Sequence, residues 1–173
     1  MVGMESRHMA PVEIRPYAQS DRGLTLALES DPAVVGHLGG PVDADDAVRV
    51  HENRVAAAAA GDLIYTIVPE GGSEPIGVIA IWRSAWDSQP IFEIGVMVLP
   101  QYQSRAFAFR AWELLKPRAM ERGVTEIHAF PSVTNKPSNL MLRKVGFRRL
   151  ADCDLDYEGR PLRCAHWVLG LTS

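Results

Sequence analysis

The sequence is poor in cysteine. Only two of its 173 residues are cysteines, Cys153 and Cys164, too few for the disulfide framework of a small secreted protein. If Glu158-Gly159 forms a two-residue hairpin turn, the two cysteines face each other, and we interpret them as thiols in a reducing compartment. No metal is expected, because only His166 lies near either cysteine and one such pair cannot complete a tetrahedral site.

Blocks of like charge and long apolar runs are also missing. The net charge is only −3, and without a basic cluster the chain is not expected to bind nucleic acid. No run approaches the roughly 18 apolar residues that span a bilayer, and the first residues lack the apolar core of a signal peptide. These absences predict a cytoplasmic protein with no membrane partner.

The rest of the composition is that of an ordinary folded domain. Hydrophobic residues make up 47% of the chain and charged residues 23%, which excludes a disordered or fibrous protein. A chain of this length can bury a sizeable core within one domain. We therefore expect a single domain over residues 11–170, after a disordered or expression-derived start over residues 1–10.

Apolar spacing predicts alternating strands and helices. Strands are expected over residues 12–17, 63–68, 76–83, 91–99 and 126–130. Helices are expected over residues 18–29, 43–60, 105–122 and 138–145. Residues 147–157 and 163–169 should form a terminal hairpin, and the glycine-rich residues 31–41 a mobile loop. This order indicates a mixed α/β domain with a largely antiparallel central sheet.

The passage from a strand into a helix is the most informative segment. Val96, Met97 and Val98 close an apolar strand, and a short loop leads into the next helix. The first N–H groups of a helix have no intrahelical partner, and the dipole there favours an anion such as a pyrophosphate. The loop and first turn read Gln103-Ser104-Arg105-Ala106-Phe107-Ala108.

A second motif follows about thirty residues later. Ser138 lies near the start of a short apolar helix that Gly146 is placed to end. Asn135 stands at the preceding strand-to-helix junction, where it either binds a ligand or caps the helix. The segment begins Asn135-Lys136-Pro137-Ser138 and ends Lys144-Val145-Gly146-Phe147.

Together the two segments resemble the motifs of the GNAT acyltransferases, Gln/Arg-x-x-Gly-x-Gly/Ala after a strand, and then Asn-x-x-Ala/Ser with a distal Lys-x-Gly-Phe. The resemblance implies a mostly antiparallel sheet flanked by helices, in which two parallel strands splay apart, with acetyl-CoA as cofactor. It assigns cofactor binding to Val96, Met97, Val98, Gln103, Ser104, Arg105, Ala106, Phe107, Ala108, Asn135 and Ser138. Ala106 replaces the usual glycine, at little cost if this residue is right-handed helical.

The resemblance also assigns roles in catalysis. The segment Phe92-Glu93-Ile94-Gly95 is similar to the Glu-Ile/Leu-Gly sequence that precedes the cofactor loop in the subfamily that acetylates ribosomal-protein N-termini. Glu93 is therefore the candidate base for the amine, with a pKa raised by its apolar strand; a structural ion pair with an arginine is equally open. His128 is the alternative base, although a lone histidine in an apolar strand more often belongs to the core. A backbone N–H of Met97 or Val98 would stabilise the charged thioester oxygen.

The donor of a proton to the leaving thiolate is less evident. Many family members use a tyrosine four residues before the final glycine, where this chain has Leu142. Because a thiolate leaves readily, the reaction can proceed without a dedicated donor, or with water or Ser132 in that role. Both cysteines lie in the predicted terminal hairpin, which disfavours an acetyl-cysteine intermediate and favours direct transfer in a ternary complex.

The acceptor site must come from the loops. Trp82 and Trp86 flank a predicted loop over residues 84–90, and with His37 and Phe130 they form the candidate substrate-binding set. Few acidic residues cluster there, which favours a compact amine, a metabolite or an antibiotic, over a polycation. We expect acetylation of the primary amine of a small molecule. Acetylation of protein N-terminal amines, a non-catalytic CoA-binding module and a homodimer through the terminal hairpin stay open.

Overall fold

The computed structural model describes residues 11–103, 105–157 and 159–172. The predicted start over residues 1–10 lies outside this part of the chain. The strands are β1 Val12–Pro16, β2 Leu63–Pro69, β3 Gly77–Trp86, β4 Gln89–Val98, β5 Glu126–Ala129, β6 Arg148–Arg149, β7 Cys153–Tyr157, β8 Arg160–Cys164 and β9 Trp167–Gly170. The helices are α1 Arg22–Ser30, α2 Pro32–Val35, α3 Ala44–Ala59, α4 Phe107–Glu121 and α5 Lys136–Lys144.

Seven strands form one sheet in the order β1-β2-β3-β4-β5-β9-β6. The first four strands pair antiparallel in chain order. β4 and β5 run parallel and share one registered pair, Glu93 with His128, so the rest of β4 has no strand on that side. The mostly antiparallel sheet with two splayed parallel strands is therefore confirmed.

Helices cover both faces of the sheet. Trp112 and Leu115 of α4 are buried with Ile79 of β3 in the larger core. On the opposite face, Leu28 of α1 packs in a smaller core with Ile64 of β2. These two apolar layers fix the sheet between its helices. Within the described residues, no helix combines the length and apolar character needed to cross a membrane.

The ends of the predicted helices follow from their capping residues. Asp43 accepts the Asp46 N–H at 2.8 Å and begins α3. Gly146, with a φ of 100°, ends α5, and the Phe147 N–H then bonds the Leu142 carbonyl at 2.9 Å. α4 begins at Phe107 instead of the predicted residue 105, and it continues through Pro117.

The predicted loop over residues 84–90 is wrong. β3 extends to Trp86 and β4 begins at Gln89, so Asp87 and Ser88 form a two-residue turn, with φ angles of 50° and 60°. A turn with both central residues at positive φ matches the twist of a hairpin. Pro90 faces Ala85, a position of the ladder that requires no N–H bond. Trp82 and Trp86 therefore lie on a strand.

Two other predictions also need correction. The predicted mobile loop over residues 31–41 contains α2 and a 3₁₀ turn over Gly36–Leu38, because Asp31 accepts the Ala33 N–H and starts a helix. The predicted terminal hairpin is divided: β7 and β8 form a separate two-stranded sheet, whereas β6 and β9 pair in the main sheet. Local patterning could not reveal this, because β9 inserts between β5 and β6.

Candidate active site

The edge of β4 that β5 leaves uncovered forms a slot, defined here as the space beside residues 94–98 of β4. In an antiparallel ladder, alternate residues direct both backbone groups to the same neighbour. Counted from the two-residue turn, Met97 directs its N–H to β3, whereas Val96 and Val98 direct theirs into the slot. The Val98 carbonyl points the same way, since it accepts Gln103 Nε2 at 3.0 Å. Of the two predicted backbone donors, Val98 is the one that faces the slot.

The start of α4 offers backbone amides to an anion. The first bond of the helix joins the Arg110 N–H to the Ala106 carbonyl at 3.0 Å, so the amides of Phe107, Ala108 and Phe109 have no intrahelical partner. Ser104, predicted to bind the cofactor, lies outside the described residues. Arg105 is exposed, with its guanidinium carbon 6.0 Å from the Phe107 ring centroid.

Ala106 adopts the backbone conformation that glycine favours. Its φ of 61° and ψ of 16° are left-handed, so the condition under which alanine would be harmless there, a right-handed helical backbone, is not met. At this position the methyl group therefore strains the backbone.

Asn135 and Ser138 are brought together at the start of α5. Asn135 Oδ1 accepts the Ser138 N–H at 3.3 Å, so Asn135 caps the helix, one of its two predicted roles. Sequence reasoning missed Asn139. Its Nδ2 donates to the Ser132 carbonyl at 3.1 Å and its Oδ1 accepts Trp167 Nε1 at 2.8 Å. Asn139 thereby ties α5 to Ser132 and to β9; the only sequence signal was its one-turn spacing from Asn135.

Glu93 lies on the face of β4 opposite α4, directly across from Trp82. Burial raises its pKa to about 7, and a hydrogen bond from Ser84 opposes this rise. Among the described residues no arginine or lysine forms an ion pair with Glu93. The arrangement fits a base that exchanges its proton near neutral pH, and it does not fit a structural ion pair.

Trp82 covers the backbone next to Glu93. A Cβ atom on Gly95 would lie 3.1 Å from Trp82 Cη2, so the indole rests on the bare backbone of Gly95. The half-buried ring thus forms one wall beside the carboxylate. This explains why a glycine follows two residues after Glu93.

A cluster of aromatic and imidazole rings forms a second wall. The ring centroids of Trp86 and Phe130 are 5.1 Å apart, and His166 stacks on Phe130 at 4.5 Å. His128 Nδ1 lies 2.8 Å from His166 Nε2, and His128 Nε2 lies 2.8 Å from Glu126 Oε1. Both ring nitrogens of His128 are therefore engaged within the protein.

His166 was missed as a member of this wall. Burial lowers its pKa, and His128 beside it lowers the pKa further. It therefore favours a neutral ring that can stack on Phe130. The sequence shows His166 only as an isolated residue before β9, and nothing in its spacing indicates the contact with β5.

His37 and Ser132 are joined through a third residue, Thr134. His37 Nδ1 lies 2.9 Å from Thr134 Oγ1, which lies 2.9 Å from Ser132 Oγ. Nearby, Arg160 of β8 donates to the Gly39 carbonyl. The 3₁₀ turn that carries His37 therefore contacts two distant segments across the acceptor side. Sequence reasoning missed Thr134 and Arg160, because these contacts span 97 and 121 residues.

Cys164 lies beside Ser132 in the fold. It pairs with Ser132 in an isolated bridge. Burial raises the pKa of its thiol to about 11, with Cys153 opposite and Glu93 nearby raising it further. Both cysteines are free. Cys164 is therefore protonated at neutral pH and unsuited to act as a nucleophile.

Comparison with known proteins identifies the family. A family described as an acetyltransferase (GNAT) domain matches residues 12–148. No curated protein matches the sequence. Among solved structures, the chain is similar to a GNAT-family acetyltransferase from Bacillus anthracis, with 19% identity, coverage of 92% of this chain and 95% of that one, and a TM-score of 0.75.

Two further structures share the fold. One, from Salmonella typhimurium, is an acetyltransferase that modifies the N-terminal serine of ribosomal protein L7/L12 (15% identity, 94% and 96% coverage, TM-score 0.75). The other is a spermidine N-acetyltransferase from Vibrio cholerae in complex with CoA and spermine (12% identity, 92% and 95% coverage, TM-score 0.75). With most of its length matched by the family, the chain belongs to the GNAT acetyltransferase domains.

Proposed function

We propose that the chain transfers the acetyl group of acetyl-CoA to the primary amine of a small molecule, by direct attack in a ternary complex. The observation that carries this proposal is Glu93, a desolvated carboxyl group with a pKa of about 7 at the slot. Such a group can accept the proton that an ammonium substrate must lose before it becomes a nucleophile.

The donor substrate fits the backbone groups that the fold leaves unpaired. The free amides of Phe107 and Ala108 at the start of α4 suit a pyrophosphate. The backbone groups of Val96 and Val98 face the slot, where they can pair with the amides of a pantetheine arm. The Val98 N–H is then placed to stabilise the negative charge that develops on the thioester oxygen.

The acceptor side supports a compact amine. Trp82, Trp86 and Phe130 provide aromatic walls near Glu93. The turn that carries His37 contacts Thr134 across this side of the molecule. These contacts favour a compact acceptor, because a peptide acceptor needs an open groove. A small amine with an apolar or aromatic body matches such walls best.

The second candidate acceptor is a protein N-terminal amine. The Salmonella typhimurium acetyltransferase of the same fold modifies an N-terminal serine, and this similarity favours a protein N-terminal amine as the acceptor. A third candidate is a CoA-binding module without catalysis. The backbone strain at Ala106 supports it. Leu142 supports it as well, because it is buried in the core at the position where many family members carry the tyrosine that acts as general acid.

Thiol release from acetyl-CoA tests the proposal directly. We would measure it with a panel of arylalkyl amines, amino acids, polyamines and short peptides with a free N-terminal serine or alanine. Turnover with compact amines is expected, and kcat/KM should rise with pH through about 7 as Glu93 loses its proton. The Glu93→Gln variant should lower kcat by about 10²- to 10⁴-fold, with calorimetric CoA binding unchanged.

The exposed Glu74 supplies the matched control. Glu74→Gln changes the same functional group on the loop before β3, eight residues before Trp82, the partner of Glu93, and should keep the wild-type kcat. Turnover with peptides alone would favour the second candidate. CoA binding without turnover would favour the third, and no CoA binding would overturn the proposed function.

A further inference from the structure

A chain of three polar side chains leads from the surface to the buried Ser132. His37 and Thr134 are exposed, whereas Ser132 is only 7% exposed. His37 Nδ1 and Thr134 Oγ1 are 2.9 Å apart, as are Thr134 Oγ1 and Ser132 Oγ. Both distances are within the normal range for hydrogen bonds. We name these three residues the relay.

The geometry gives the relay a direction. The Thr134 N–H donates to Ser132 Oγ at 3.3 Å. If the Thr134 hydroxyl also donates to this oxygen, Ser132 accepts twice and keeps its own hydrogen for another acceptor. Thr134 then accepts from the Nδ1–H of His37. Each residue of the relay can thus donate a hydrogen bond to the next residue inwards, from His37 at the surface to Ser132 beside the slot.

We propose that this relay returns a proton to the thiolate of CoA after acetyl transfer, with Thr134 and His37 as positioning residues that act through Ser132. The inference rests on the proposed function. The amine nitrogen bonds the acetyl carbon, the carbon–sulfur bond breaks, and Glu93 takes the amine proton. The sulfur takes the Ser132 hydroxyl proton, Ser132 is resupplied by Thr134, Thr134 by His37, and His37 by water.

The relay accounts for a replacement that is otherwise unexplained. Leu142 occupies the position where many family members have the tyrosine that protonates the leaving thiolate, and its side chain is buried in the core. Ser132 lies three residues beyond β5, and β4 and β5 run parallel with Glu93 beside His128, so Ser132 flanks the slot on the side opposite residues 94–98. An isolated buried hydroxyl is a poor acid; a connection to solvent through His37 gives it a renewable proton.

Two substitutions at Thr134 separate the relay from packing. Thr134→Val has nearly the same shape without the hydroxyl, and kcat should fall about tenfold or more with KM for acetyl-CoA unchanged. Thr134→Ser keeps the hydroxyl and should restore most of kcat. Because Thr134 is exposed, both variants should fold, which thermal unfolding and CoA titration would verify.

His37 and Arg160 separate proton supply from placement of the turn. His37→Ala should lower kcat to a similar extent, and added imidazole should restore it. Arg160→Ala loosens the same turn at Gly39 and should show no imidazole rescue. A wild-type kcat in Thr134→Val, or equal losses without rescue in His37→Ala and Arg160→Ala, would overturn the relay alone. Absence of thiol release by the wild-type protein would overturn the proposed function and the relay with it.

Discussion

Ala106 carries a side chain at a backbone position that favours glycine. In the left-handed region the Cβ atom crowds the next carbonyl group, at a cost of about 1–2 kcal/mol. Glycine avoids this cost but gains more freedom in the unfolded chain, which offsets part of the benefit. The strain lies directly before the free amides of α4, within the proposed anion site.

Ala106→Gly should therefore stabilise the protein. We expect the free energy of unfolding to rise by about 0.5–1 kcal/mol, the balance of the two opposing effects, measured by urea titration. The control is Ala108→Gly, two residues on in the right-handed first turn of α4, which should lower it by up to about 1 kcal/mol. Equal losses in both variants would contradict a left-handed Ala106.

At this scale, the sequence predicts what depends on near neighbours. The raised pKa of Glu93 was predictable, because the apolar strand around it is visible in the sequence. The cap formed by Asn135 was one of two predicted roles. The contacts of His166 and Thr134 were not predictable, because each joins residues far apart in the chain and neither follows a spacing rule.

At the scale of elements, the β3–β4 hairpin has a turn that its residues fit poorly. Asp87 and Ser88 both have positive φ, which asparagine and glycine tolerate better. This hairpin holds Trp82 and Trp86 on one strand and Glu93 on the other. A more favourable turn should make the acceptor side more rigid.

The double substitution Asp87→Asn/Ser88→Gly should raise the free energy of unfolding by about 1 kcal/mol. Thermal and urea unfolding would measure the gain. Ser73→Gly is the control, because the exposed Ser73 has no positive φ, and it should give no gain. A loss of stability in the double variant would indicate that residues 84–90 form the wider loop that the sequence predicts.

Elements with their own start and stop signals were predictable, and elements defined by distant pairing were not. α3 and α5 follow from Asp43 and Gly146 respectively. β6 consists of two exposed arginines, Arg148 and Arg149, and it is a strand only because β9 pairs with it. No local pattern distinguishes such a segment from a loop.

At the scale of the whole molecule, a buried polar network joins the helical layer to the sheet. His51 is 2% exposed; its Nδ1 lies 2.5 Å from the Tyr17 hydroxyl and its Nε2 lies 3.0 Å from Gln19 Oε1. The Tyr17 hydroxyl also lies 2.6 Å from Thr25 Oγ1. Since Gln19 Oε1 can only accept, the neutral ring with its hydrogen on Nε2 satisfies every partner.

This network should make stability depend on pH. Burial lowers the pKa of His51 below its ordinary value of 6.5, with Arg22 lowering it further. Below pH 6.5 the unfolded chain binds a proton that the folded protein resists, so His51 contributes less stability as the pH falls towards the folded pKa. The stability lost in His51→Gln should therefore be larger at pH 7.5 than at pH 5.5, as measured by urea titration.

Tyr17→Phe separates this titration from the loss of hydrogen bonds. It removes the hydroxyl but keeps the imidazole, and should cost about 1–3 kcal/mol while retaining a fall in stability between pH 7.5 and 5.5. A His51→Gln variant whose deficit is the same at both pH values would indicate that His51 does not titrate in this range.

The position of β9 has a consequence for biosynthesis. Residues 167–170 lie between β5 and β6 in the sheet, although both of those strands leave the ribosome first. While these residues are still inside the exit tunnel, β5 has β4 on one side and an empty edge on the other. The nascent chain can pair β1 to β4 early. β5, which borders the slot opposite β4, gains its second neighbour only when β9 emerges. The emerging polypeptide should therefore gain affinity for CoA in one late step, after residue 170 has cleared the tunnel.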